Sequence, residues 1–481
     1  MIPQPTSLAL LTDLYQLTMA QGYWKTGIDQ HEAVFHLFFR RNPFKGAYSV
    51  ACGLAPAIEF IQNLSFDESD RAYLATLEGN DGKPLFEPAF LDYLGGLKFT
   101  CDLDAIPEGT IAFPHEPLLR VKGPLLQCQL LETPLLTIIN FQTLIATKAA
   151  RVCLAAQGDP VLEFGLRRAQ GIDGGLSASR AAYIGGCAGT SNVLAGKLYG
   201  IPVKGTHAHS WIMSFDTEQE SFEAYARAMP NNCIFLVDTY NTIEGVKHAI
   251  DAGRCLKDAG HEMIGIRLDS GDLTSLSIQA RQLLDEAGFE NAAIVGSNDL
   301  DEYKITDIKK RGGKIAVWGV GTRLATAYDE PALTGVYKLS AIREPGGDWQ
   351  HRIKLSDDPA KSTTPGIQQV RRFTKDDRFQ ADIIYNELAP PSDTWQARDI
   401  NHPNIAITPS PESTSEDLLQ PIFRKGKLQS EPPPIEEMRN RCLNQLDALP
   451  PELKQNEPNT AYPIGLETSL SELKKNLVEA N

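Results

Sequence analysis

Residues suited to nucleophilic, acid–base and anion-binding chemistry recur at one kind of place in this chain: just after short apolar strings. VLEF (161–164) is followed by Arg167 and Arg168, and AYIG (182–185) by Thr190, Ser191 and Asn192. After PVKG (202–205) come Thr206, His207 and His209, and after CIFLV (233–237) come Asp238, Thr239 and Tyr240. MIGI (263–266) runs into Arg267, Asp269, Ser270 and Asp272. AIVG (293–296) ends in Ser297, Asn298 and Asp299, and IAVW (315–318) in Gly319, Gly321, Thr322 and Arg323. Helix capping accounts for side chains such as Thr190, Asp299 and Asp238. It does not account for paired arginines, a histidine pair and a Gly-x-Gly-Thr.

Each candidate has a bland and a sharp reading. On a strand, His207 and His209 would share a side and could hold a metal, but the further ligands such a site needs are missing from later string ends. They could instead be ordinary turn histidines. The favoured reading is an acid–base or nucleophilic histidine oriented by Asp238, because a carboxylate on one ring nitrogen fixes the tautomer and raises the nucleophilicity of the other. GVGTRL lacks the third glycine of a dinucleotide fingerprint and suits a phosphate monoester, held by backbone amides and the Thr322 hydroxyl. GTSNVLAGKL has the wrong spacing for a P-loop, so any ATP binds without one. Asp269, Ser270 and Asp272 offer oxygens to ribose hydroxyls or Mg²⁺, or form a tight turn.

These residues need a scaffold that brings string ends together. Apolar strings alternate with helix-like stretches such as TIEGVKHAIDAG and LTSLSIQARQLLDEAG, through to GVYKL (335–339), which implies a parallel sheet. The expected class is α/β: an irregular or incomplete (β/α) barrel with an additional N-terminal α+β, β-rich domain and a C-terminal extension. The boundaries read as 1–150, 151–340 and 341–481. In the first domain LTDLYQLTMAQGYW has helical spacing, EAVFHLFFR reads as a strand, and Pro107–Ile139 reads as short strands with turns. The tail, proline-rich from Pro390, carries short strands and a helix-like end.

The chain has 481 residues, with 46 Lys+Arg against 61 Asp+Glu and a net charge of −15. That balance argues against nucleic acid or an anionic membrane as partner. It places any small-anion site on a few focused cations, here Arg167, Arg168, Arg267 and Arg323. The cysteines form no C-x-x-C and several lie in apolar strings, which points to reduced thiols and a cytoplasmic setting. The N-terminal stretch has no basic n-region, and no apolar run reads as a membrane span.

Taken together, LTDLYQLTMAQGYW, EFGLRRAQG, GTSNVLAG, GTHAHS, LVDTYNT, GIRLDSGDL and WGVGT followed by GVYKL resemble the nicotinate phosphoribosyltransferase family. The resemblance covers about residues 8–340, and KLSDDPAKSTTPG extends it to about 366. It implies that nicotinate and phosphoribosyl pyrophosphate give nicotinate mononucleotide and pyrophosphate, with ATP as co-substrate and Mg²⁺ carried on the substrate. His209 would be phosphorylated by ATP, and Asp238 would orient it. Tyr15, often supplied by the partner of a homodimer, Phe164, Thr206 and Arg267 would form the nicotinate pocket, with Arg267 on the carboxylate. Arg167, Asp269, Gly321 and Thr322 would hold the phosphoribosyl and pyrophosphate groups.

Elementary chemistry agrees with these roles. A carboxylate suits a guanidinium fork, an electron-poor pyridine suits an aromatic face, and a departing pyrophosphate suits cations. The related nicotinamide phosphoribosyltransferases carry an aspartate where this chain has Ser191. A serine does not repel a carboxylate, which favours the acid over the amide. The rivals are that amide-specific enzyme, a metal-dependent barrel hydrolase using His207 and His209, and a non-catalytic ligand-binding barrel.

Overall fold

The computed structural model describes residues 8–355, 362–391 and 394–480. The SDDPAK stretch of the family-like motif (356–361) and the first seven residues lie outside the described residues. The chain divides into two compact units, one of residues 145–331 and one of residues 1–144 with 332–481.

The first of these contains a six-stranded, all-parallel sheet. Its spatial order is Gly189–Thr190, Val161–Glu163, Val317–Val320, Ala293–Gly296, Gly265–Leu268, Ile234–Leu236. Helices cover a parallel sheet on its faces, so its strands carry mostly apolar side chains. Ile266, Leu268, Ile294, Trp318 and Val320 are buried accordingly. Because every strand runs the same way, all the C-terminal ends lie along one edge. The following helices are capped by Asn192, Asn241, Asp272 and Asp301. Thr190, Asp238 and Asp299 are therefore not the caps, and their side chains serve elsewhere.

Several expected strands fall differently. AYIG lies at the end of helix Gly171–Ile184, whose residues from Ala178 to Ile184 are all buried. PVKG contributes only a parallel bridge from Val203 to Thr190. GVYKL belongs to the other unit: Gly335–Arg343 pairs antiparallel with Glu32–Phe39. Alternating apolarity marks a strand without naming its partner. In the stretch expected to be short strands, Ile111–Ala112 and Leu119–Pro124 are strands, whereas Leu125–Leu130 and Glu132–Ala156 are helices.

The run Leu125–Ala156 is long and apolar enough to cross a membrane, and most of its most apolar window is buried within this protein. Glu132, Lys148 and Arg151 within it hid it from the reading of composition. Leu126, Leu131, Leu135, Ile139 and Ile145 on it are core residues.

The other unit holds a seven-stranded antiparallel sheet in which Glu32–Phe39 lies between Gly335–Arg343 and Leu119–Pro124. Gln420–Arg424 pairs with Asp102–Ala105 in the same sheet. A second, six-stranded sheet is built entirely from residues beyond 367. Helix Leu14–Thr26 carries Tyr15, half-exposed.

Candidate active site at the C-terminal edge of the parallel sheet

Phe164, Ser297 and the Thr206 loop meet at Arg267. This residue lies on strand Gly265–Leu268, and its guanidinium is pinned on three sides. Its Nε donates to Ser297 Oγ at 2.8 Å, its Nη1 to Thr206 Oγ1 at 3.0 Å and its Nη2 to Asp269 Oδ1 at 2.7 Å. A guanidinium has five N–H donors, so two remain, one on each terminal nitrogen. The guanidinium carbon stands 5.8 Å from the centroid of the Phe164 ring.

Phe164 ends the VLEF string, and its N–H donates to Val320 O at 2.8 Å. Its ring crosses the face of Gly319, where an added Cβ would come within 2.7 Å of Phe164 Cδ2. Gly165 is required for the same close passage, since a Cβ there would meet the Ala325 Cβ at 2.2 Å. Beneath them Glu163, fully buried, accepts from the Gly165 N–H, from Ser179 Oγ at 2.9 Å and from Thr190 Oγ1 at 2.6 Å. Glu163 thus fixes the turn that carries Arg167 and Arg168. Both arginines are exposed and form no ion pair with the described residues.

His209 opens a short helix, with Thr239 Oγ1 3.0 Å from its Nδ1 and Asp269 Oδ2 3.8 Å from its Nε2. The expected Asp238 contact is replaced. Asp238 Oδ2 accepts from the Asp269 N–H at 2.8 Å and from Ser270 Oγ at 2.6 Å, while its buried Oδ1 has no partner among the described residues. Asp238 holds the turn that carries Asp269, and Asp269 and Thr239 face the ring. Burial pushes the Asp269 carboxyl up, but the Ser297 hydroxyl and the Arg267 guanidinium outweigh it and leave the carboxyl below its usual range.

His207 does not share the site. It sits among Phe222, Tyr225 and Phe235, and its Nε2 accepts the Leu236 N–H at 3.3 Å. Burial lowers it to about 4, which keeps it neutral. Residues 206–208 are not a strand, so the two histidines diverge. Among the described residues no group of three or more His, Cys, Asp or Glu side chains is arranged to hold a metal ion. Asp272 caps its helix and pairs with Arg311 at 3.0 Å.

The phosphate-type turn holds Gly321 with φ −111° and ψ −104°, and Thr322 begins a short helix. Arg323, expected as a ready cation at this edge, is committed. It pairs with Asp299 at 3.3 Å and Asp329 at 3.3 Å and lies 4.0 Å from the Tyr328 ring centroid. The sequence pattern gives no sign of Glu163 beyond a lone acid inside an apolar string, and it marks Thr239 and Ser297 as strand-end residues without a role. Nothing separates Thr239 or Ser297 from capping residues.

Three family models match consecutive stretches of the chain. They are the nicotinate phosphoribosyltransferase N-terminal domain (residues 10–140), the family's central model (161–381) and its C-terminal domain (367–474). Nicotinate phosphoribosyltransferase of Bacillus subtilis (strain 168) is 44% identical over 468 residues, covering 96% of this chain and 93% of that one. The Homo sapiens protein of the same name is 35% identical over 527 residues, covering 97% and 96%. A crystal structure of human nicotinic acid phosphoribosyltransferase superposes with a TM-score of 0.84 at 33% identity, covering 97% of this chain and 99% of that one. With identity at this level over nearly the whole length, this chain belongs to the nicotinate phosphoribosyltransferase family.

Proposed function

We propose that this protein joins nicotinate to phosphoribosyl pyrophosphate, releasing pyrophosphate and forming nicotinate mononucleotide, with ATP hydrolysis coupled to the reaction. The observation that carries the reading is Arg267, pinned by Thr206, Ser297 and Asp269 beside the Phe164 ring with two N–H donors to spare. A guanidinium fork beside an aromatic face fits a pyridine carboxylate. Arg167, exposed and without an ion pair among the described residues, suits the pyrophosphate, and the Gly321–Thr322 turn suits the 5′-phosphate.

In this reading the pyridine nitrogen attacks C1 of the ribose as the C1–pyrophosphate bond breaks. The leaving group's negative charge then falls to Arg167. Asp269 faces the ribose carbon, where positive charge develops. Mg²⁺ would travel on the pyrophosphate, neutralising it, since among the described residues no cluster of side chains is arranged to hold it. His209 takes the γ-phosphoryl group of ATP on a ring nitrogen, ADP leaves, and water later releases phosphate. Thr239 and Asp269 orient the ring, and Asp238 acts through the Asp269 turn.

We read the parallel sheet with the Val203 bridge as an incomplete barrel open beside Ile234–Leu236, and the unit of residues 145–331 as the catalytic domain. We read the working form as a homodimer in which Tyr15 serves the partner's site. Support comes from exposed apolar residues on helix Leu14–Thr26, Leu14, Tyr15 and Met19, with Leu11 exposed just before it. We read the setting as cytoplasmic from the scattered cysteines, none of which forms a C-x-x-C pair.

The test is product formation from nicotinate or nicotinamide with phosphoribosyl pyrophosphate and Mg²⁺, with and without ATP. We expect nicotinate to be the better substrate and ATP to stimulate. His209→Ala should abolish the stimulation while the circular dichroism spectrum is unchanged. Faster turnover of nicotinamide, or full ATP stimulation in His209→Ala, would sink the reading.

A further inference from the structure

Ser297 lies just beyond strand Ala293–Gly296, which pairs with the Arg267 strand on one side and the Gly319 strand on the other. It is only 4% exposed, and its N–H donates to Leu268 O at 2.9 Å, locking it to the end of the Arg267 strand. Its Oγ accepts from Arg267 Nε at 2.8 Å and donates to Asp269 Oδ1, while that same oxygen accepts from Arg267 Nη2 at 2.7 Å. Arginine, serine and aspartate thus close a ring of three hydrogen bonds. A hydroxyl suits the middle place because it accepts and donates through one small atom.

We propose that Ser297 is the positioning residue that makes Arg267 discriminate a carboxylate from a carboxamide. The proposal rests on the nicotinate reading above. With Nε and one Nη2 proton engaged in the ring and Nη1 held by Thr206, the guanidinium plane is fixed and its two remaining donors have one aim. A carboxylate offers an acceptor to both. A carboxamide offers one acceptor, and its NH₂ meets the second donor head-on. Discrimination of that kind depends on aim, because a guanidinium free to turn would meet the amide oxygen alone. Ser297 touches no substrate in this account; it acts through Arg267 and Asp269.

The experiment compares wild type, Ser297→Ala and Ser297→Thr. Steady-state kinetics would be measured with nicotinate, nicotinamide and phosphoribosyl pyrophosphate, alongside calorimetric binding of both pyridines. Loss of one hydrogen bond to a charged group corresponds to about a tenfold or larger effect. In Ser297→Ala we expect KM and Kd for nicotinate to rise by about tenfold or more, with values for nicotinamide and KM for phosphoribosyl pyrophosphate within about twofold of wild type. Ser297→Thr keeps the hydroxyl and should retain most of the discrimination. If Ser297→Ala does not fold, Ser297→Cys, of similar size and a poor acceptor, carries the same expectation. An unchanged nicotinate-to-nicotinamide ratio in Ser297→Ala, or an equal loss in Ser297→Thr, overturns the proposal. Wild type that binds nicotinate selectively but forms no nucleotide would instead overturn the catalytic reading, and the binding data alone would then judge Ser297.

Discussion

Gly319 shows how closely a single atom is specified at this site. A Cβ there would stand 2.7 Å from the Phe164 ring, so Gly319→Ala must displace the ring proposed to face the pyridine. An aromatic contact of that kind contributes about 1 kcal/mol. We therefore expect KM for nicotinate to rise about five- to tenfold in steady-state assays, with the melting temperature nearly unchanged. An unaltered KM would remove Phe164 from the nicotinate pocket. Phe164 itself was legible in the sequence because it closes an apolar string. The need for glycine opposite it was not, because that contact joins residues more than 150 positions apart. Asp238 and Thr239 illustrate the same limit at shorter range. Their placement after CIFLV identifies the strand end, but adjacent residues point to different sides, and only the fold decides that Thr239 meets the His209 ring.

At the scale of elements, the loop between Val203 and His209 shows what a short motif conceals. Read as a strand, GTHAHS puts both histidines on one side; as a loop leading into a helix, it sends His207 into the aromatic cluster and leaves His209 at the sheet edge. The buried ring affects stability. His207 takes up a proton near pH 6.5 when unfolded but only near 4 when folded, because burial disfavours its charged form. Its contribution is therefore complete above pH 6.5 and is lost as pH falls toward 4, amounting to roughly 3 kcal/mol. His115, also held at about 4 by burial, adds a similar slope in the other unit. Chemical denaturation between pH 7 and 4 should show the loss, and His207→Gln should flatten it. An identical slope in that variant would refute the assignment. The parallel strands were largely legible because each pairs an apolar string with a polar end. AYIG and GVYKL were not placed correctly, because four apolar residues fit a buried helix face or an antiparallel partner equally well.

For the whole molecule, the chain order 1–150, 151–340, 341–481 conceals that its first and last parts build one unit. A buried polar cluster joins them. Arg372 forks onto Asp382, with Nη2 and Oδ2 2.6 Å apart, and Tyr462 donates to Asp382 Oδ1 at 2.9 Å. Glu116, from the N-terminal part, lies fully buried beside them. Burial, reinforced by Asp382, raises its carboxyl well above the usual range and so favours the protonated state. An acid raised on folding stabilises at low pH and loses that contribution as pH climbs from its unfolded value through its folded one. Glu116→Gln should therefore match wild type near pH 4 and exceed it in thermal stability at pH 8; a variant less stable at both would contradict the protonated state. The antiparallel pairing of Glu32–Phe39 with Gly335–Arg343, and of Asp102–Ala105 with Gln420–Arg424, also bears on biosynthesis. On the ribosome the early strands emerge long before their partners exist and carry unpaired edges throughout. Residues 145–331, whose sheet is complete within a single stretch of chain, can fold during that wait. The order of synthesis thus makes the unit of residues 145–331 the first to mature, and makes the earliest residues the ones a chaperone must guard.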